Sequence, residues 1–269
     1  MRTTLAVVAA LAAGLAAPSA ARAAPGSVDW QRKVVKCTGS GAANLRDAGG
    51  NPAVARIGAE RAARLDALRS CVETLKGVQL ESGRTVGGAL QSDAALTGKV
   101  EALVRGFQVV GKPRYFSDGG VEMDVEVPIE GALSDALLPR PEGKPAEAPA
   151  PAPAKTQGDP GASVTSLVVD ARGQKIVPAL APRVLDEDGK ELYGPSRLGE
   201  EGRRAGAAYA HDLEAAKTAL KSRLGDRPLV VKAARVQGSD LVISKADAAR
   251  LAGRDLAFLS EGKVVILAD

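Results

Sequence analysis

Aromatic side chains are scarce in this chain. Phe, Trp and Tyr make up 3% of its 269 residues, while hydrophobic residues as a whole reach 45%. Few flat faces are therefore available for stacking on nucleic-acid bases or on sugars. The hydrophobic share is that of an ordinary globular protein, and the length suits one large domain or two ordinary ones. We expect the cores to be aliphatic.

A large excess of one charge is also missing. Lys and Arg number 36 against 32 Asp and Glu, and the two signs are interspersed along the chain. A nucleic-acid-binding module presents a dense basic face instead. We therefore expect no nucleic-acid partner.

The chain has no apolar run long enough to span a bilayer. Arg2 precedes an apolar stretch over residues 5–17, and the small residues Ala21 and Ala23 follow it. This order is typical of a secretory signal, so we predict a signal peptide over residues 1–23. The alternative is a membrane anchor, but a spanning helix needs about 20 apolar residues. We expect the mature chain to have no transmembrane span and to lie in the periplasm, outside the cell or in the cell envelope.

Cysteine is nearly absent. The two cysteines are Cys37 and Cys71, and none stands at the expected cleavage point, so we expect no lipid anchor. In an oxidising compartment a disulfide between them is the natural interpretation, while two separately buried thiols are the alternative. The single histidine, His211, adds too little for a metal site, and we expect no metal.

Residues 51–77 carry the signals of one long helix. Asn51 is a capping residue, Pro52 suits the first helical position, and Gly77 suits a left-handed turn at the end. Apolar residues recur at helical spacing along one side, which we expect to pack on a sheet. This side comprises Ile57, Leu65, Leu68, Cys71, Val72 and Leu75.

A strand is predicted over residues 29–39, where it runs into a Gly-Ser-Gly sequence. The pattern is similar to the glycine-rich turn of dinucleotide sites, but Asn44 stands where the third glycine is needed and the helix begins only after Asn51. We therefore expect no nucleotide cofactor. Residues 78–86 can extend as a strand, and residues 93–104 suit a short helix or an irregular crossing.

A hairpin is predicted over residues 107–129, with a Ser-Asp-Gly-Gly turn. Its second strand alternates between a buried apolar face and an acidic face. The acidic face is interpreted as solvated, because ligands for Ca²⁺ converge from a loop and do not stand in a row along a strand. The apolar residues are Val121, Met123, Val125 and Val127, and the acidic ones are Glu122, Asp124 and Glu126.

Residues 140–162 are rich in proline and alanine and contain no large apolar residue, which is typical of a semi-rigid linker. We therefore predict two domains, over residues 24–139 and 163–269.

The second domain is predicted to mix strands and helices. A hairpin turns at Asp188-Gly189, a second one turns at Gly238, and Ser244 begins a short helix. An amphipathic helix is predicted over residues 208–224. His211 at its start has no accompanying nucleophile motif, so we expect no catalytic role for it.

Three stretches of the first half resemble a known family. They are an early Trp-containing strand that ends in Gly-Ser-Gly, the helical sequence ARLDALRSCVETLKGVQLESGRTV, and the hairpin sequence DGGVEMDVEVPIEG. Together they resemble the LPP-twenty lipoprotein family, whose fold is similar to the amino-terminal domain of flagellar assembly protein T. The second half resembles the carboxy-terminal extension of larger envelope members. The resemblance implies a cell-envelope location and, as in some members, a flagellar or outer-membrane role.

These observations predict an α+β protein with two domains, the first a long helix on an antiparallel sheet, joined by the Pro/Ala-rich linker. No motif brings an acid, a base and a nucleophile together, so we expect no catalytic residues, no cofactor and no enzymatic activity. The expected function is contact with envelope or flagellar proteins. The alternative is a periplasmic module that binds a small ligand.

Overall fold

The computed structural model describes residues 26–138, 164–252 and 254–269. The signal peptide predicted at residues 1–23 and the linker predicted at residues 140–162 lie outside these ranges. The described residues form two α+β regions, which confirms the predicted fold class.

The first half is a long helix on an antiparallel sheet with the strand order β1-β2-β6-β5. Strands β3 and β4 form a small separate hairpin in place of the single strand predicted over residues 78–86, because Gly83 (φ +77°) turns the chain back. The elements are β1 (Ser27–Asp29), β2 (Val34–Gly41), α1 (Pro52–Lys76), β3 (Gln79–Glu81), β4 (Arg84–Thr85), α2 (Val86–Ser92), α3 (Ala94–Val104), β5 (Gln108–Tyr115), β6 (Val121–Pro128) and α4 (Ala132–Leu137).

Helix α1 begins where its sequence predicts. The side chain of Asn51 accepts hydrogen bonds from the amides of Ala53 and Val54, and Pro52 occupies the first position. The predicted end is only partly correct. Gly77 follows the last helical residue, but it keeps a right-handed conformation (φ −77°) and donates to the carbonyl of Thr74.

The face of α1 that meets the sheet differs from the predicted one. Ile57 and Leu65 are 51% and 67% exposed, so their prediction as core residues was wrong. A line of small residues at every fourth position packs on the sheet instead, and Leu68 and Val72 pack at its margin. This buried line consists of Ala55, Ala59, Ala63, Ala67, Cys71 and Leu75.

The Gly-Ser-Gly sequence of β2 explains why the buried line of α1 consists mainly of alanines. A Cβ atom on Gly39 would overlap the backbone of α1 at Ala63 and Ala67, and one on Gly41 would overlap it at Ala59. Two glycines on the strand and small side chains on the helix let the two backbones approach closely. The glycines are therefore used for packing.

The hairpin predicted over residues 107–129 is confirmed. Strands β5 and β6 pair antiparallel, with an irregularity between Val110 and Arg114 where Gly111 has φ +71°. The apolar face of β6 is buried under α1 as predicted.

The second half has a mixed sheet with the strand order β10-β13-β7-β11-β12-β8-β9. Strands β8 and β9 form the hairpin predicted at Asp188-Gly189, and β11 and β12 form the one predicted at Gly238. The elements are β7 (Ser166–Asp170), β8 (Val184–Leu185), β9 (Glu191–Tyr193), a 3-10 turn (Pro195–Arg197), α5 (Glu200–Ala205), β10 (Ala208–Ala210), α6 (Leu213–Ala219), α7 (Lys221–Leu224), β11 (Pro228–Gln237), β12 (Asp240–Ile243), α8 (Lys245–Leu251), α9 (Ala257–Ser260) and β13 (Val264–Leu267).

The helix predicted over residues 208–224 is not continuous. Residues Ala208–Ala210 pair parallel with β13 as an edge strand, and Asp212 then caps α6 through the amide of Ala215. Leu220 leaves the helical conformation (φ −120°, ψ 27°) and separates α6 from α7. Pairing with β13 therefore overrides the local helical pattern.

The two halves share one hydrophobic core. Leu180 donates from its amide to the carbonyl of Gln79 (2.9 Å), and Ala181 donates to that of Leu80 (2.8 Å). Buried side chains from both halves form one continuous cluster.

Candidate functional site

The turn between β1 and β2 places Trp30 and Lys33 at the junction of the two halves. Trp30 packs edge-on against Tyr209, with ring centroids 5.4 Å apart. The hydroxyl of Tyr209 donates to the carbonyl of Ala179 and accepts from its amide, at 2.9 Å each. The hydrogen bonds hold the Tyr209 ring in place within the second half, and the aromatic contact packs the turn of the first half against it.

Lys33 is buried in this junction and has a left-handed backbone, with φ +53°. Few non-glycine residues adopt this conformation, which costs on the order of 1 kcal/mol. The conformation directs the side chain into the second half, where Nζ donates to the carbonyl of Ala205 and lies 3.8 Å from the carboxylate of Glu130. Burial, followed by repulsion from Arg223, lowers the pKa of Lys33 to about 7, although Glu130 opposes the change.

Arg223 approaches the same carbonyls from α7. It donates to Gly206 O (2.6 Å) and to Ala205 O (3.1 Å). These oxygens lie at the carboxyl end of α5, where the helix dipole favours positive charge. Burial lowers the pKa of Arg223 as well.

Tyr193 is a buried neighbour of this cluster. Its hydroxyl has no hydrogen-bond partner in the described part of the chain, and burial raises its pKa to about 12. A buried hydroxyl without a partner costs stability.

A second set of polar contacts closes the junction around α4. Ser134 Oγ donates to the carbonyl of Arg203 (2.6 Å), and the Arg203 guanidinium lies 3.2 Å from Asp135. The amide of Gly131 donates to Arg204 O (2.7 Å). Both side chains of the Arg203–Asp135 pair are largely buried, so this pair is screened little by salt.

Two open clefts of about 500 Å³ each flank Trp30, and Val28 and Pro178 line both of them. The first also takes in Glu73 and Thr74 of α1. Its wall is mostly apolar. The second is more polar, and its lining includes Asp29, Lys36, His211 and Asp269.

His211 stands at the rim of the second cleft. It is exposed, and its Nδ1 faces the carbonyl of Ala268 at 3.2 Å. Asp29, on the opposite wall, bonds to Lys36 at 2.8 Å, and the Lys36 hydrogen bond is the main cause that lowers its pKa. In the described ranges no nucleophile is hydrogen-bonded to His211. This geometry offers a binding surface, with no general-base arrangement at the histidine.

Cys37 and Cys71 form a disulfide between β2 and α1, with their Cα atoms 5.5 Å apart. It joins the strand to the helix in the middle of the first core. Of the two interpretations of the cysteines, the structure therefore has the bridged one.

The acidic face of β6 is neutralised by arginines. Arg114 pairs with Glu122 and Asp124, and Arg32 pairs with Glu126 through both of its terminal nitrogens. Within residues 26–138, 164–252 and 254–269, no group of three or more His, Cys, Asp or Glu side chains is placed to hold a metal ion. Over the same residues, no helix has the length and apolar character needed to cross a membrane.

Sequence reasoning missed Lys33 and Arg223 as residues of this site. Lys33 lies in a stretch of charged and polar residues, a composition that indicates exposure to solvent. Arg223 lies in a predicted amphipathic helix. Their convergence depends on contacts between halves far apart in sequence, for which a single sequence carries no local signal.

The fold and the junction define a class of protein: an α+β protein with two regions that share a core, the first of them bridged by a disulfide. Over residues 166–269 the chain matches the family described as Treponema pallidum Tp0624, second domain. The second half is thus similar to that domain. No curated protein matches the chain. The resemblance of the first half to the LPP-twenty family stays a prediction.

Proposed function

We propose that this chain is an exported, non-enzymatic protein of the cell envelope that acts through contacts with other proteins, in a flagellar or outer-membrane assembly. Export is supported by the signal predicted at residues 1–23 and by the Cys37–Cys71 disulfide, because such bonds persist in oxidising compartments. The flagellar or outer-membrane setting is supported by the family resemblance of the first half.

The observation that carries the proposal is the uneven distribution of exposed apolar side chains. Of the ten large apolar side chains that are exposed in the described residues, eight belong to the first half. An excess of exposed apolar side chains on one half favours that half as the one that contacts other proteins. The eight residues are Leu45, Val54, Ile57, Leu65, Val109, Val110, Tyr115 and Phe116.

The chemistry of the buried polar groups also supports a binding role. Lys33 donates to a carbonyl oxygen of α5 and Arg203 pairs with Asp135 of α4, so these two cations join the halves. Arg223 donates to carbonyl oxygens within the second half. A shared core with such contacts makes a firm scaffold that presents the apolar surface of the first half.

The test is site-specific photo-cross-linking in intact cells. A photoreactive side chain is placed at Leu65, Val110 or Phe116 in the first half, and at Val230 in the second half as a matched exposed control. We expect cross-links to envelope proteins from the first-half positions and far fewer from Val230. If none of the first-half positions yields a cross-linked envelope protein, the proposal fails.

A second candidate function, binding of a small periplasmic ligand, is favoured by the two clefts beside Trp30. Each has about 500 Å³, within the range of small-molecule sites. Trp30 is the single tryptophan of the chain, so its fluorescence reports directly on both clefts. In a metabolite screen, a ligand should change this fluorescence and raise the melting temperature together. A screen that moves neither signal removes this candidate.

A further inference from the structure

Helix α1 carries a second regular line of side chains on its outer face. The buried alanine line recurs every four residues, and a residue two positions further on is rotated by about 200°, to the opposite side. On this opposite side lies an outer line of α1, in which apolar and basic residues alternate along the helix. It consists of Ile57, Arg61, Leu65 and Arg69, all exposed, with Val54 and Arg64 beside it.

The acidic side chains of α1 have partners within the described chain, whereas three of its arginines have none. Its three acids are all engaged by this chain: Glu60 accepts from Tyr115 and pairs with Arg56, Asp66 accepts from the amide of Ser40, and Glu73 pairs with Lys76. Apart from Arg56, the arginines of α1 lack such partners among the described residues. Across the ranges that the structure describes, no side-chain hydrogen bond or ion pair involves Arg61, Arg64 or Arg69.

An exposed apolar side chain next to an unpaired guanidinium favours a partner with the complementary pattern. An acidic helix meets this requirement, because residues four apart on one helix form a ridge that packs into a groove between the ridges of another. Arginine also binds a carboxylate through two parallel hydrogen bonds.

Two other occupants of this face are disfavoured. A membrane surface would place Arg61 and Arg69 in the apolar contact itself, where charge is expensive, and the outer line has no aromatic anchor. A second copy packed antiparallel about Leu65 would bring Arg61 against Arg69, and one centred on Arg61 would bring that residue against itself. Both arrangements set like charges together.

We infer that the outer line of α1 is a docking surface for an acidic amphipathic helix of a partner protein. The inference rests on the proposed function, since it names the kind of partner that the first half contacts.

The test uses the full mature chain and a synthetic helical probe. The probe is a peptide of about 20 residues, since shorter helices are marginal in water, with Leu and Glu alternating at four-residue spacing. A matched peptide carries Lys in place of each Glu. Binding is followed by fluorescence anisotropy at low and at high salt.

Charge reversal on the protein provides the decisive comparison. In Arg61→Glu/Arg69→Glu, we expect affinity for the acidic peptide to fall at least about tenfold and the lysine peptide to bind instead. The control variant Arg197→Glu/Arg235→Glu makes the same charge change at exposed positions of the second half, and it should bind like the wild type.

Several outcomes overturn the inference. These are no binding of the acidic peptide, equal binding to wild type and to Arg61→Glu/Arg69→Glu, binding of anionic phospholipid vesicles that is lost in this variant, or a dimer in sedimentation that is lost in it. Cross-links from Val110 or Phe116 to envelope proteins, in the absence of peptide binding, would leave the proposed function standing and remove only this surface.

Discussion

Lys33 and Arg223 donate hydrogen bonds to the same carbonyl oxygen, that of Ala205. The oxygen lies at the end of α5, where free carbonyls carry partial negative charge and attract cations. Two cations at one acceptor nevertheless repel each other, and burial strengthens the repulsion. Glu130 lies 3.8 Å from Lys33, but its side chain is largely exposed and compensates only in part. Burial and the charge of Arg223 together lower the pKa of Lys33, so the folded chain is more stable relative to the unfolded chain once Lys33 has lost its proton.

The first prediction concerns the stability of the protein against pH. The pKa of Lys33 is lowered from 10.5 to about 7 in the folded chain. Between these values the unfolded chain holds a proton that the folded chain has released, so the free energy of unfolding rises with pH. Below about pH 7 both states hold the proton and this gain is lost. Urea unfolding at about pH 6 and about pH 9 should show a rise of up to a few kcal/mol.

Lys33→Met should remove this rise, because the variant has no group to titrate at the junction. Lys99→Met is the control, since Lys99 is exposed on α3 and its removal should leave the pH dependence unchanged. An equal rise in the wild type and in Lys33→Met would show that another group is responsible.

The second prediction concerns the Cys37–Cys71 disulfide, which closes a loop with a sequence separation of 34. Constraint of the unfolded chain by a loop of this length corresponds to about 3–4 kcal/mol. Adding reductant should lower the free energy of urea unfolding by an amount of this order. Cys37→Ala/Cys71→Ala should be insensitive to reductant. Alkylation of the thiols of the wild type without reductant would contradict the bridge.

The third prediction compares two buried tyrosines. Tyr209→Phe removes both hydrogen bonds to Ala179 and leaves the buried amide and carbonyl of that residue unpaired, so it should cost about 1–3 kcal/mol. Tyr193→Phe removes a buried hydroxyl that has no partner in the described residues, so stability should stay the same or rise. Urea unfolding measures both variants. Equal losses would show that Tyr193 has a partner.

Local signals predicted the start of α1 and several turns of the fold well. The cap at Asn51, the hairpins at Asp188-Gly189 and at Gly238, and the alternation along β6 all follow from short-range chemistry that each segment carries by itself.

The face of α1 and the junction were not predictable in the same way. Hydrophobicity ranks Ile57 and Leu65 above alanine, but the contact distance to the sheet is set by Gly39 and Gly41. The site at Lys33 arises from packing between halves, which no local pattern encodes. The outer line of α1 could be separated from the core side only once the alanine line was known to be the buried one.

The last prediction tests the close packing of α1 on β2. It compares the same change, glycine to alanine, at Gly39 and at Gly58. Gly39→Ala places a methyl group against the backbone of α1 at Ala63 and Ala67, which has no rotamer by which to move aside. The helix must shift from the sheet, and we expect a loss of about 3 kcal/mol or more in the free energy of unfolding.

Gly58→Ala is the matched control, because Gly58 lies inside α1 and a Cβ there meets no described atom within 4 Å apart from the adjacent residues and backbone of the helix itself. Alanine has the higher helix propensity, so this variant should gain about 0.5–1 kcal/mol. The same added methyl group is thus expected to destabilise the protein at the contact and to stabilise it at an exposed position of α1. Urea unfolding of both variants measures the difference, and a neutral Gly39→Ala would mean that the helix and β2 are further apart than the structure places them.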